Sequence, residues 1–185
     1  PLDERPEPDG TRLRDTQCGL FATGKVLRRF RCKFTYLPMC RLEDQEFYEG
    51  IRRFLATVNI IKELKDLTIL QIATRPSGFW TMMVNEGELL EKFNIKIHPV
   101  TLAEVKDEMD AVEQNKKDEV IQVIDYLKKE TIIEISDEAL VKVAALRVAI
   151  KSIAKRYNCK AAAVQCWNAM QGVLGIFPCA ANALL

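Results

Sequence analysis

The stretch LTILQIATRPSGFW (67–80) decides the fold. Leu67 to Thr74 is nearly continuous in apolar residues, the habit of a strand buried on both faces of a parallel sheet. Arg75 follows directly. Pro76 then stiffens a turn, Ser77 and Gly78 continue it, and Gly78 permits a close backbone approach. Phe79 and Trp80 offer two rings. Either they cap the core or, with Arg75, they face a polyhydroxylated or anionic small molecule. Of the two, Trp80 suits a structural role better than Arg75 does.

Working outward, a helix carrying Glu86, Leu89, Leu90 and Phe93 is predicted next, followed by a second strand, IKIHPV (95–100). Thr101 caps a further helix, with Glu104 placed as in a capping box. Dense mixed charge over 104–130 lies above Val105, Met109, Val112, Val120, Ile121, Ile124 and Leu127, which predicts two amphipathic helices. Ser136 caps another, with Asp137 and Glu138 where the helix dipole favours acids. Its apolar stripe is Val143, Leu146, Ile150, Ile153 and Tyr157, beside a basic stripe of Arg147, Lys151 and Lys155. KAAAVQC (160–166) reads as a third buried strand.

Strands alternating with helices predict an α/β class: a Rossmann-like, three-layer domain with a mostly parallel sheet, plus an amino-terminal helical arm. Ligands of such sheets gather at the carboxyl ends of the strands. RPSGFW and WNAMQG (167–172) occupy that position.

The amino-terminal part reads differently. Residues 1–16 form a charged arm with Pro1, Pro6 and Pro8 and no periodic apolar face. Asp15 or Thr16 caps a helix over about 18–30, KFTYL (33–37) is extended, and Asp44 opens a helix to about Lys65. Phe47, Ile51, Phe54, Leu55 and Val58 give that helix one apolar stripe.

Bulk properties exclude several classes. The chain has 185 residues, a formal net charge of +1 and 29% charged residues, so no global field recommends nucleic acid or membrane as partner. Lys25, Arg28, Arg29, Arg31 and Lys33 form only a local basic stretch, read as a solvated helix edge. No apolar run reaches the ~18 residues a bilayer needs, and the charged amino end does not read as a signal peptide. Six cysteines (18, 32, 40, 159, 166, 179) without a CxxC pair, beside one histidine, predict reduced thiols and a cytoplasmic protein.

Among motifs, GLFATGKV (19–26) has the GxxxxGK spacing of a phosphate loop. Val26 stands where a magnesium-binding hydroxyl belongs, and no strand precedes it, so no nucleotide site is expected there. His98, read at a strand end before Pro99, has no recognisable partner. Glu86, Glu88 and Glu91 read as a solvated helix face, although Glu88 and Glu91 share one side.

DGTRLRDTQCGLFATGKVLRRF (9–30), LQIATRPSGFWTMMVNEGELLEKFNI (70–95) and AAAVQCWNAMQGVLGIFPCAANALL (161–185) resemble successive stretches of the L-fucose isomerase-like proteins, within the L-fucose/L-arabinose isomerase superfamily. The resemblance implies two amino-terminal α/β domains before a carboxyl-terminal one. Residues 1–66 then belong to a preceding domain and 67–185 to the second domain. It also implies aldose–ketose isomerisation with a divalent cation, usually manganese, in a homo-oligomer. The family's metal carboxylates begin after the CAANALL helix, so this chain is expected to be a fragment lacking catalytic and metal residues and silent alone. Its partners would be a small-molecule sugar and the remaining domains of the parent chain.

By position, the resemblance implies sugar contacts from Arg75, Ser77, Gly78 and Trp80, and from Gln165, Trp167 and Asn168. Trp167 replaces a polar residue of the fucose enzymes. The rival expectation is a non-catalytic sugar-binding or regulatory module of the same fold. A third expectation is that residues 1–66 mainly serve assembly.

Overall fold

The computed structural model describes residues 6–11 and 16–185. It divides the chain into two compact units, Pro1–Glu63 and Leu64–Leu185.

In the first unit α1 spans Thr16–Arg29, and α2 spans Gln45–Leu64, reaching the boundary. Asp15, one of the two cap candidates, lies outside the described residues. The phosphate-loop lookalike lies wholly inside α1, where its amides serve the helix. Residues 33–37 form no strand among the described residues and run as irregular backbone. Leu37 packs on Gly50 of α2, where an added Cβ would overlap its side chain. Asp44 does precede α2, yet its carboxylate accepts from the Arg41 amide (2.7 Å). The α2 stripe is laid out at helical spacing, but Ile51, Phe54, Leu55 and Val58 are all exposed.

The second unit is α/β, consistent with a three-layer arrangement. Its elements run β1 (Thr68–Ile72), α3 (Glu86–Phe93), β2 (Lys96–Val100), α4 (Leu102–Asn115), α5 (Lys117–Glu130), α6 (Asp137–Arg156), β3 (Ala161–Val164), α7 (Ala169–Leu174) and α8 (Cys179–Ala183). The sheet is three-stranded in the order β2-β1-β3, with both pairings parallel. Leu70 faces His98 on one side and Ala162 on the other.

Only β1 is central, and this limits burial. Leu70 and Ile72 are buried, while Ile69 and Gln71 on the opposite face are half-buried, so β1 is not fully buried on both faces as expected. β3 corrects the expectation further. Ala161, Ala162 and Ala163 are exposed because the strand lies at a sheet edge. On the other edge, β2 tolerates Pro99 because an edge strand need not donate every amide.

The core is organised by α6. Leu140, Val143, Leu146, Ile150 and Ile153 are buried in one cluster with Leu70, Ile72, Val105, Val112 and Met170. Each fully buried side chain of this kind contributes about 1.5–3 kcal/mol. α6 packs against α4, α5 and α8. Its alanines (Ala144, Ala145, Ala149) are buried too, so more than one face is covered.

The caps follow the sequence. Ser136 accepts from the Ala139 amide (3.2 Å) and Thr101 from the Glu104 amide (3.2 Å). Glu104's carboxylate does not complete a capping box with Thr101. It accepts instead from the Tyr157 hydroxyl at 3.0 Å.

Candidate functional site at the carboxyl edge of the sheet

The parallel sheet sends β1 and β3 out along the same edge, and their loops meet there. The rings of Phe79 and Trp167 lie 5.3 Å apart, inclined by 57°. That distance falls within the range of attractive aromatic pairs.

The first loop is tied by its own backbone. The Phe79 amide donates to Pro76 O (3.0 Å), closing the turn. Arg75 Nη1 donates to Pro76 O (3.2 Å) and Ser77 O (3.1 Å). Its guanidinium carbon stands 5.2 Å from the centre of the Trp80 ring, a cation–π geometry. Arg75 is half-buried, whereas Trp80 is 70% exposed. Neither ring caps the core: Trp80 lies in solvent beside Arg75, and Phe79 leans on Trp167. The expected ranking is therefore reversed, with Arg75 the better-held residue. Ser77 is exposed. Gly78 has no atom within 4 Å of an added Cβ, so no protein contact requires glycine there.

The second loop begins as an extension of the ladder, with the Gln165 amide donating to Ile72 O (3.1 Å). Trp167 is 57% exposed. Asn168 sits at φ 63°, ψ −47°, and the Ala169 amide donates to Trp167 O (2.8 Å), a tight γ-turn. Such a turn is strained for any residue with a side chain, and strain of this kind clusters at ligand loops. Asn168's side chain makes no cap for α7.

Beside Trp167 opens a cleft of about 590 Å³, lined by Cys166, Trp167, Asn168, Gln171, Phe177 and Cys179 among others. Sequence reasoning placed WNAMQG, and Gln171 with it, at this edge, but it missed Phe177 and Cys179 as walls of the cleft. The available signal was the aromatic–proline pair Phe177–Pro178 just ahead of the CAANALL helix. The cleft volume is within the range of small-molecule sites.

His98 belongs elsewhere. It lies within β2 rather than at its end, and stacks on Tyr157 with ring centres 3.8 Å apart. That partner is 59 positions away in sequence, which is why the chain order did not reveal it. Glu88 is engaged by Lys92 on the next turn of α3. Among the described residues no three His, Cys, Asp or Glu side chains gather where they could hold a metal ion. No helix among the described residues is long and apolar enough to cross a membrane.

Residues 1–65 match the model of the family described as fucose/sulfoquinovose isomerase, N-terminal domain. The chain is also similar to the sulfoquinovose isomerases of Priestia aryabhattai and Priestia megaterium (strain ATCC 12872 / QMB1551). Each is 26% identical over 172 residues, covering 92% of this chain. These matches support the fucose/sulfoquinovose isomerase family. The chain spans 38% of the length of those relatives. The family match falls on α1 and α2, whereas the meeting loops lie beyond it. The similarity to the isomerases extends over both.

Proposed function

We propose that this chain supplies a sugar-facing wall of an aldose–ketose isomerase-like protein and is catalytically silent by itself. The observation that carries the reading is the meeting of the two loops at the carboxyl edge of the parallel sheet, with Phe79 against Trp167. Aromatic faces exposed there suit the C–H faces of a sugar, and hydroxyl groups find donors and acceptors in Ser77, Gln165 and Asn168. Arg75 adds a positive charge, so an anionic sugar is the preferred substrate class. That agrees with the name of the Priestia relatives.

Manganese or another divalent cation belongs to the parent's reaction on this reading, where it would polarise the sugar's oxygens. The parent acts as a homo-oligomer in the cytoplasm on the same reading.

The test is an assay of aldose–ketose conversion, with manganese, for this chain alone and for a longer protein that contains it. Turnover by the longer protein only is the expected result. Turnover by this chain alone would overturn the proposal. Micromolar sugar binding by this chain, with no turnover by the longer protein, would favour a non-catalytic sugar-binding module instead.

A further inference from the structure

The basic stretch of α1 borders a cleft of the first unit. Lys25, Arg28 and Arg29 stand at i, i+3 and i+4, so they share one face of the helix, and all three are exposed. Like charges at those spacings repel one another. No acid offsets them: none of the three makes an ion pair among the described residues. Arg28 and Arg29 in the last turn complement the helix dipole. Lys25, a turn earlier on the same face, has no such explanation.

The three cations line one side of a cleft of about 760 Å³, and Phe21, Phe34 and Tyr36 bring three rings to it. The cleft lies wholly within the first unit. Gly24 shapes its wall, since an added Cβ would stand 3.3 Å from the Phe34 ring and push it away from α1. Guanidinium groups bind phosphate oxygens in pairs of parallel hydrogen bonds, and flat rings stack on the aromatic faces. The volume lies within the range of clefts that hold a small organic molecule.

We propose that this cleft binds a phosphate carried on a flat ring system, the class of the nucleoside monophosphates. The site is a side-chain one and owes nothing to the GxxxxGK spacing, whose amides are helical. It is independent of the sugar-facing loops.

The experiment is calorimetric titration of the intact chain at low salt with adenosine monophosphate, inorganic phosphate and adenosine. The monophosphate should bind about tenfold or more tighter than either part, a gain that needs both the charges and the rings. Arg28→Gln with Arg29→Gln should lower its affinity about tenfold with unchanged circular dichroism. Lys25→Gln, at an exposed mid-helix position, should weaken it less. Phe34→Leu should weaken the monophosphate and leave inorganic phosphate unchanged. Equal affinity for monophosphate and phosphate would overturn the proposal, as would unchanged binding by the folded glutamine variants. A short single-stranded oligonucleotide binding more than about tenfold tighter than the monophosphate would replace it with a nucleic-acid site. Loss of monophosphate binding on Arg75→Gln would move the ligand to the sheet edge and also overturn it.

Discussion

If the two sheet-edge loops form one surface, Phe79 and Trp167 must be energetically coupled, and a double-mutant cycle measures that coupling directly. The cycle uses Phe79→Leu, Trp167→Leu and the pair. Aromatic pairs contribute about 0.5–1.5 kcal/mol beyond their buried area. Here the ring centres are 5.3 Å apart and the rings are inclined by 57°, both favourable. Phe79 is 37% and Trp167 57% exposed, however, so water competes on the open faces. That places the coupling in the lower half of the range, about 0.5–1 kcal/mol, or roughly two- to fivefold in the unfolding equilibrium constant. Urea unfolding followed by far-ultraviolet circular dichroism is the suitable assay, because Trp167 is itself altered. A coupling below about 0.2 kcal/mol would refute the contact between the loops, since even exposed cross-strand pairs exceed that.

Other consequences concern the scaffold. Ile150 is 1% exposed at the centre of α6, so Ile150→Ala should destabilise the second unit by about 2–5 kcal/mol in chemical denaturation. Ser136→Ala should cost about 1 kcal/mol and Ser136→Gly only a few tenths, because glycine also tolerates the cap position. Burial pushes the Cys159 thiol above its ordinary pKa, so less of it is thiolate at any given pH. Iodoacetamide at neutral pH should therefore label Cys159 more slowly than the exposed Cys32, with the difference shrinking as pH rises. Peptide mapping would read this, and equal rates at neutral pH would contradict it.

The helices of the second unit were legible because their signals are local. Ser136 and Thr101 cap where their side chains permit, and the α6 stripe keeps its 3.6-residue spacing through the core. Burial of strands was less legible, since it depends on position in the sheet. LTILQIAT and KAAAVQC look alike in apolar content, but one is central and the other is an edge. The locations of RPSGFW and WNAMQG followed from the parallel order. The roles of Phe79 and Trp80 did not, because nothing local says that Phe79 turns toward Trp167. His98–Tyr157 and the cleft walls Phe177 and Cys179 were hidden for the same reason: their neighbours are brought by tertiary packing. In the first unit, the stripe of α2 was legible but its exposure was not.

The sugar-facing reading of the sheet edge can be tested without mutating anything first. The chain has two tryptophans, Trp80 and Trp167, one in each loop, so tryptophan emission, excited selectively over the four tyrosines, reports on that edge. Titration with pentoses, 6-deoxyhexoses and an anionic hexose should produce a saturable change in tryptophan emission. The change should be largest for the anionic sugar and reduced by Arg75→Gln. Unchanged emission for every sugar, or the same response after Arg75→Gln, would contradict the account.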